Sequence, residues 1–181
     1  MSRGDLGMGH NAFSIAVIYV LEVFLIRPVT REDSAAVSTV AIASGLFPED
    51  AIAFLDKMMS DYFGGNRDQG HLCVIDVENE PLGVAYFQPA LATDRTWYLT
   101  MIGVRRDKQG QRRGTALMQY VEDTLRESGQ RILLVETSGL PDFALTREFY
   151  TKCGYEEEAR VRDYYTAGED MVLFRKVLKT E

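Results

Sequence analysis

Trp97-Tyr98-Leu99-Thr100-Met101-Ile102-Gly103-Val104 runs into Arg105-Arg106-Asp107-Lys108-Gln109-Gly110-Gln111-Arg112-Arg113-Gly114-Thr115, and then into a helical pattern that lasts to Ser128. The first block is rich in aromatic and β-branched residues and reads as a strand. The second is polar, cationic and twice interrupted by glycine. In the third, Ala116, Leu117, Tyr120, Val121, Thr124 and Leu125 recur at the three-and-four spacing of one buried helix face, and Gly129 is the stop. Residues 97–128 therefore read as strand, basic glycine loop, helix.

A loop in that place is a candidate phosphate cradle. The first N–H groups of a helix have no intrahelical partner, and the helix dipole is positive at that end. Glycine lets the backbone come close to an anion. The loop is not a Walker loop, because the Gly-Lys-Ser/Thr ending is missing. Its glycine spacing is not that of the dinucleotide fingerprint either.

Elements of both kinds lie on either side. Phe24–Val29 reads as a strand, and Thr30 to Asp33 as a capping-box start for a helix over Ser34–Ser44. A second helix covers Glu49–Tyr62, with Ile52, Leu55, Met59 and Tyr62 on one face. A loop runs on to Gly70. Leu72–Val77 and Leu82–Phe87 form a hairpin about Glu78-Asn79-Glu80-Pro81. After the central helix, Arg131–Thr137 is a nearly continuous apolar strand, which fits burial on both faces. A helix over Phe143–Cys153 and an antiparallel pair, Glu156–Tyr164 and Met171–Val177, complete the chain. This order gives an α/β fold with a mixed, mostly antiparallel central sheet flanked by helices.

Of 181 residues, 46% are hydrophobic and 26% charged, as expected of one globular domain. Twenty basic against 27 acidic side chains leave a net charge of −7, which argues against a nucleic-acid partner and suits an amine or basic acceptor. Cys73 and Cys153 have no partner spacing and read as free thiols of a reducing, cytoplasmic compartment. His10 and His71 are too few and too separated for a metal site. The apolar run Ala12–Ile26 is shorter than the ~20 residues that span a bilayer, and it contains Glu22. It reads as one long or two short strands, with no membrane partner expected; a membrane-associated protein held by Ala12–Ile26 is the alternative. We divide the chain into an N-terminal extension, residues 1–23 (a loose tail plus an apolar strand), and a domain over residues 24–181.

Gln109-Gly110-Gln111-Arg112-Arg113-Gly114-Thr115-Ala116-Leu117 resembles the acetyl-CoA loop of the GNAT N-acetyltransferase superfamily, whose pattern is Gln/Arg-x-x-Gly-x-Gly/Ala between a strand and a helix. Gln109 and Gly114 match its ends. Arg112 stands where the family has its middle glycine. Phe149-Tyr150 and Gly154-Tyr155 resemble the family's final-helix segment, Phe/Leu-Tyr-x-x-x-Gly-Phe/Tyr. Arg160-Val161-Arg162-Asp163-Tyr164-Tyr165 is similar to the C-terminal segment of the ribosomal-protein alanine N-acetyltransferases in that superfamily. The order of elements from Phe24 to Val177 also matches the GNAT fold.

The resemblance implies acetyl-CoA as co-substrate, without a metal, and a small amine or a protein amino group as acceptor. It implies that the central strand and the Val135–Thr137 strand splay apart to admit the pantetheine arm. Met101, Ile102, Gly103 and Val104 would line that arm, and Gln109, Gly110, Gln111, Arg112, Arg113, Gly114 and Thr115 would take the pyrophosphate. Transfer needs a base for the amine, donors for the carbonyl oxygen and an acid for the leaving thiolate. Tyr150 is the candidate acid, since its hydroxyl is a donor at neutral pH; a plain core tyrosine is the alternative. Glu136, the one carboxylate in its apolar strand, is the candidate base, directly or through water; a solvated strand-end carboxylate is the alternative. A non-catalytic acyl-CoA sensor of the same fold, and a homodimer, are both open at this point.

Overall fold

The alternation in Leu72–Val77 shows how the sheet divides its core. Cys73 and Ile75 face one side and Val74 the other, and each joins a different apolar cluster. This is the period-two pattern of a strand covered on both faces. The computed structural model describes residues 25–178. The strands are β1 (Leu25–Pro28), β2 (Leu72–Val77), β3 (Pro81–Pro89), β4 (Thr96–Val104), β5 (Ile132–Ser138), β6 (Glu156–Thr166) and β7 (Glu169–Val177). They form one sheet in the order β1-β2-β3-β4-β5-β7-β6. Only β4 and β5 pair in parallel; all other neighbours are antiparallel. The mixed, mostly antiparallel sheet expected from the sequence is thus what forms. The apolar segment before Leu25 and the expected boundary at residue 24 lie outside the described residues.

Helices α1 (Ser34–Ala43) and α2 (Ile52–Asp61) cover one face. There Val37, Val40, Leu55 and Met59 pack on Ile75, Val84 and Met101. Helices α3 (Arg113–Glu127) and α4 (Ala144–Lys152) cover the other. There Leu117, Val121, Leu125 and Tyr150 pack on Leu99, Leu133, Val135 and Phe174. Burying each large aliphatic side chain of this kind stabilises the fold by roughly 1.5–3 kcal/mol.

The expected start of α1 is present in detail. The Asp33 carboxylate accepts the Thr30 backbone N–H at 2.8 Å and is gripped by Arg27 at 2.6 Å. The segment after α2 differs from the loop expected there. Tyr62–Asn66 continues as a π-turn and Arg67–Gln69 as a 3-10 turn, ended by Gly70 at φ +93°. The central helix differs more usefully. It begins at Arg113, three residues before the Ala116 start read from apolar periodicity, so the last part of the basic loop is its first turn. An apolar pattern cannot register a first turn made of Arg-Gly-Thr.

Candidate active site

The β4–β5 ladder stops early. Thr96 to Leu99 pair with Ile132 to Val135, and pairing ends there. Beyond that point β4 continues beside β3 as far as Val104, and β5 continues beside β7 as far as Ser138. The two strands form a fork. Thr100 and Glu136 are the first residues past it on either side, and both are exposed.

Thr100 is also a bulge. Tyr86 pairs with Met101 and Phe87 with Leu99, so Thr100 is the extra residue, and its Oγ1 donates to the Tyr86 carbonyl at 3.0 Å. One extra residue inverts the alternation of the strand. Trp97 and Leu99 face the α3–α4 core before it; Ile102 and Val104 face that core after it. Met101 turns to the α1–α2 core, and Gly103 lies against the end of α1. A Cβ on Gly103 would meet Ser44 Oγ at 2.7 Å, which is why glycine stands there.

The loop after β4 is tied down from several directions. The Gln109 side-chain amide donates to the Val104 carbonyl at 3.0 Å and the Ser44 carbonyl at 3.2 Å. Gly110 has φ +75°, and Arg112 is left-handed at φ +61°. The family glycine is therefore replaced by an arginine that adopts the glycine conformation, at a typical cost of roughly 1–2 kcal/mol. Ala116 N–H makes the first helical bond, to the Arg112 carbonyl at 2.9 Å. The turn before it carries Gly114 and the exposed Thr115, whose N–H groups lead the helix. Gly114 lies against Phe149, where a Cβ would be 3.4 Å from the ring. The two sequence motifs, loop and final helix, thus touch.

The basic side chains of the loop do not act alike. Arg105 pairs with Glu80 at 2.8 Å and with Asp107 at 3.0 Å. Arg113 is buried and pairs with Asp76 at 2.9 Å and with Glu78. Its guanidinium is turned to these carboxylates. Gln111 and Arg112 are exposed.

Tyr150 is 5% exposed, among the rings of Tyr155 at 6.0 Å and Phe174 at 5.6 Å, in the core that holds Leu99, Val104 and Val135. Burial drives its pKa up, so the phenol stays protonated. Glu136 follows Val135 and so projects to the opposite face. Protein around its carboxyl displaces enough water to raise its pKa above the usual glutamate value, although the side chain as a whole reaches solvent. Tyr98 and Tyr165 both feel its charge. Ser44, Asp76 and Thr100 are the site residues that the sequence reading missed.

The model of the acetyltransferase (GNAT) family matches residues 39–155, which spans the fork, the loop and the final helix. The chain belongs to the GNAT acetyltransferase family. Among solved structures, a GNAT-family protein from Desulfovibrio desulfuricans is 28% identical, with a TM-score of 0.81 over 87% of this chain and 100% of that one. The ribosomal-protein-S18-alanine N-acetyltransferase of Escherichia coli is 22% identical, with a TM-score of 0.71 over 88% and 96% of the two chains. An aminoglycoside 6′-N-acetyltransferase complexed with coenzyme A is 16% identical, with a TM-score of 0.72 over 87% and 98%. A comparison with the curated proteins found no match. For this GNAT domain no helix among the described residues is long and apolar enough to cross a membrane.

Proposed function

We propose that this GNAT protein transfers an acetyl group from acetyl-CoA to a primary amine by direct attack at the β4–β5 fork. One observation carries the reading: Glu136 is the first β5 residue past the fork, on one face of the sheet, and Tyr150 belongs to the core of the other face together with Leu99 and Val135, the last pair before the fork. A base on one face and an acid on the other suit an amine that arrives from one side and a thiolate that leaves on the other.

Acetyl-CoA supplies an activated acetyl thioester. The residues present fit it. Two positive-φ positions and the opening turn of a 15-residue helix suit Gly110–Thr115 to donate backbone N–H groups to an anion. The backbone of Met101–Val104 past the fork suits the amides of the pantetheine arm. In this reading Glu136 takes the amine proton, directly or through water, and its raised pKa makes it a better base. Backbone N–H groups on β4 stabilise charge developing on the carbonyl oxygen. The protonated Tyr150 hydroxyl donates to the departing sulfur. On the acceptor side Tyr98 and Tyr165 lie near enough to Glu136 to feel its charge, and aromatic rings beside a carboxylate favour one small ammonium group over a protein amino group. The two free thiols, Cys73 and Cys153, fit a cytoplasmic setting.

Calorimetric titration with acetyl-CoA and CoA, with ATP as comparison, tests the first half. Binding of both acetyl-CoA and CoA, without binding of ATP, supports it, and no heat with either sinks it. A primary-amine screen read by thiol release tests the second half. A panel that releases no thiol above background refutes transfer.

A further inference from the structure

Asp76 breaks the pattern of its strand. β2 sends Val74 to the α3–α4 core, so Asp76, two residues on, belongs to the same face, and it is fully buried there. A lone carboxylate in that position would be strongly unfavourable. Arg113 answers it. As the first residue of α3 its side chain leans back toward the sheet, and its Nη1 donates to Asp76 Oδ2 at 2.9 Å while Nη2 pairs with Glu78. Gly83, opposite Asp76 in the ladder, leaves the space: a Cβ there would meet Leu117 Cδ1 at 2.8 Å. The first turn of α3 is thereby fixed to β2 by a charge pair. Immediately before it stands the left-handed Arg112, and a strained residue persists only where its neighbours hold it.

We propose that Arg113 is a positioning residue for CoA and not a phosphate ligand. Paired with Asp76 and Glu78, it anchors the loop and cancels carboxylate charge that would otherwise repel the pyrophosphate. This inference rests on the acetyl-CoA reading above. Asp76 lies three strands from β5, so the pair acts on CoA affinity and leaves the chemistry at Glu136 and Tyr150 alone.

The test is the dissociation constant for CoA by calorimetry, with KM and kcat for acetyl-CoA against an amine found by the screen. Arg113→Met leaves Asp76 buried without its partner. It should weaken CoA by about tenfold to a hundredfold and raise KM alike, with kcat at saturation within about twofold. Asp76→Leu combined with Arg113→Met removes both charges and should return affinity to within roughly threefold of the parent, as apolar replacement of both members of a buried pair is tolerated. Arg113→Lys, which keeps the charge but not the fork of donors, should fall between. Unchanged affinity in Arg113→Met overturns the proposal. So does a double variant as weak as the single one, because the guanidinium would then hold phosphate itself. If Arg113→Met does not fold, the double variant decides in the same terms. Failure of the parent protein to bind CoA would overturn the acetyl-CoA reading together with this one. Tight parent binding with a contrary variant pattern would overturn this one alone.

Discussion

Glu136 and Asp76 carry the same sequence signal, a single carboxylate inside an apolar strand, and they have opposite fates. One ends exposed beside a fork and the other buried under a helix. Sequence reading flagged the first and passed over the second, because only the register of β2 and the reach of Arg113 distinguish them. Replacing Glu136 by Gln should cut kcat/KM by about a hundredfold, typical of a lost general base, while CoA affinity is kept. The pH profile adds a signed check. In the proposed role Glu136 would work ionised, and its pKa is raised, so the rate should fall as pH drops through a value above the ordinary glutamate range. Glu136→Gln should lose that limb. Tyr150→Phe should lower kcat by roughly a hundredfold with little change in melting temperature, since only a hydroxyl leaves a filled core. At Arg112 the loop pattern named the position but could not show its backbone. Arg112→Gly should stabilise the fold by up to about 1 kcal/mol in urea titrations, and Arg112→Val should destabilise it by about 1–2 kcal/mol.

Among the elements, β4 shows where pattern reading stops. Its aromatic and β-branched content announced a strand, but the bulge at Thr100 depends on the pairing of Tyr86 and Phe87, sequence-distant residues. The same applies to the seat of α1 on Gly103. Gly103→Ala would drive a methyl group against Ser44, and the expected loss is about 1–3 kcal/mol by denaturant unfolding. Ser44→Gly in the same chain should recover part of that loss; no recovery would deny the contact. Strand β6 is a different case. Eleven residues, all exposed, lie at the sheet edge, and the edge is armoured by Glu156, Glu157, Glu158, Arg160 and Arg162 and broken by the left-handed Asp163. Charges and irregular pairing of this sort keep an open edge from recruiting further strands.

For the whole molecule, the order of elements was legible because the inner sheet-forming runs are apolar and bounded by glycine, proline or charge, while the polar edge strand β6 is marked by its pairing with the apolar β7. The layering into two cores follows from that order. What was not legible is where neighbouring strands part company, since pairing length leaves no local mark. Stability should also carry a pH signature from the Arg27–Asp33 contact at the α1 start. Hydrogen bonding by Arg27 holds the Asp33 pKa below the ordinary aspartate value. A depressed folded-state pKa adds stability above the unfolded pKa, and that stability is lost as pH falls. Asp33→Asn should therefore be less stable than the parent by roughly 1 kcal/mol at neutral pH. The gap should close in acid, as measured by urea midpoints at both pH values; a gap independent of pH would contradict the assignment. The fork has one more consequence, for the clock of hydrogen–deuterium exchange. Amides of Thr100–Val104 and Glu136–Ser138 that face between the strands have no ladder partner across that gap, while those facing β3 and β7 do. Along one continuous strand, fast and slow exchangers should alternate, and a ligand that threads the gap would slow only the fast set.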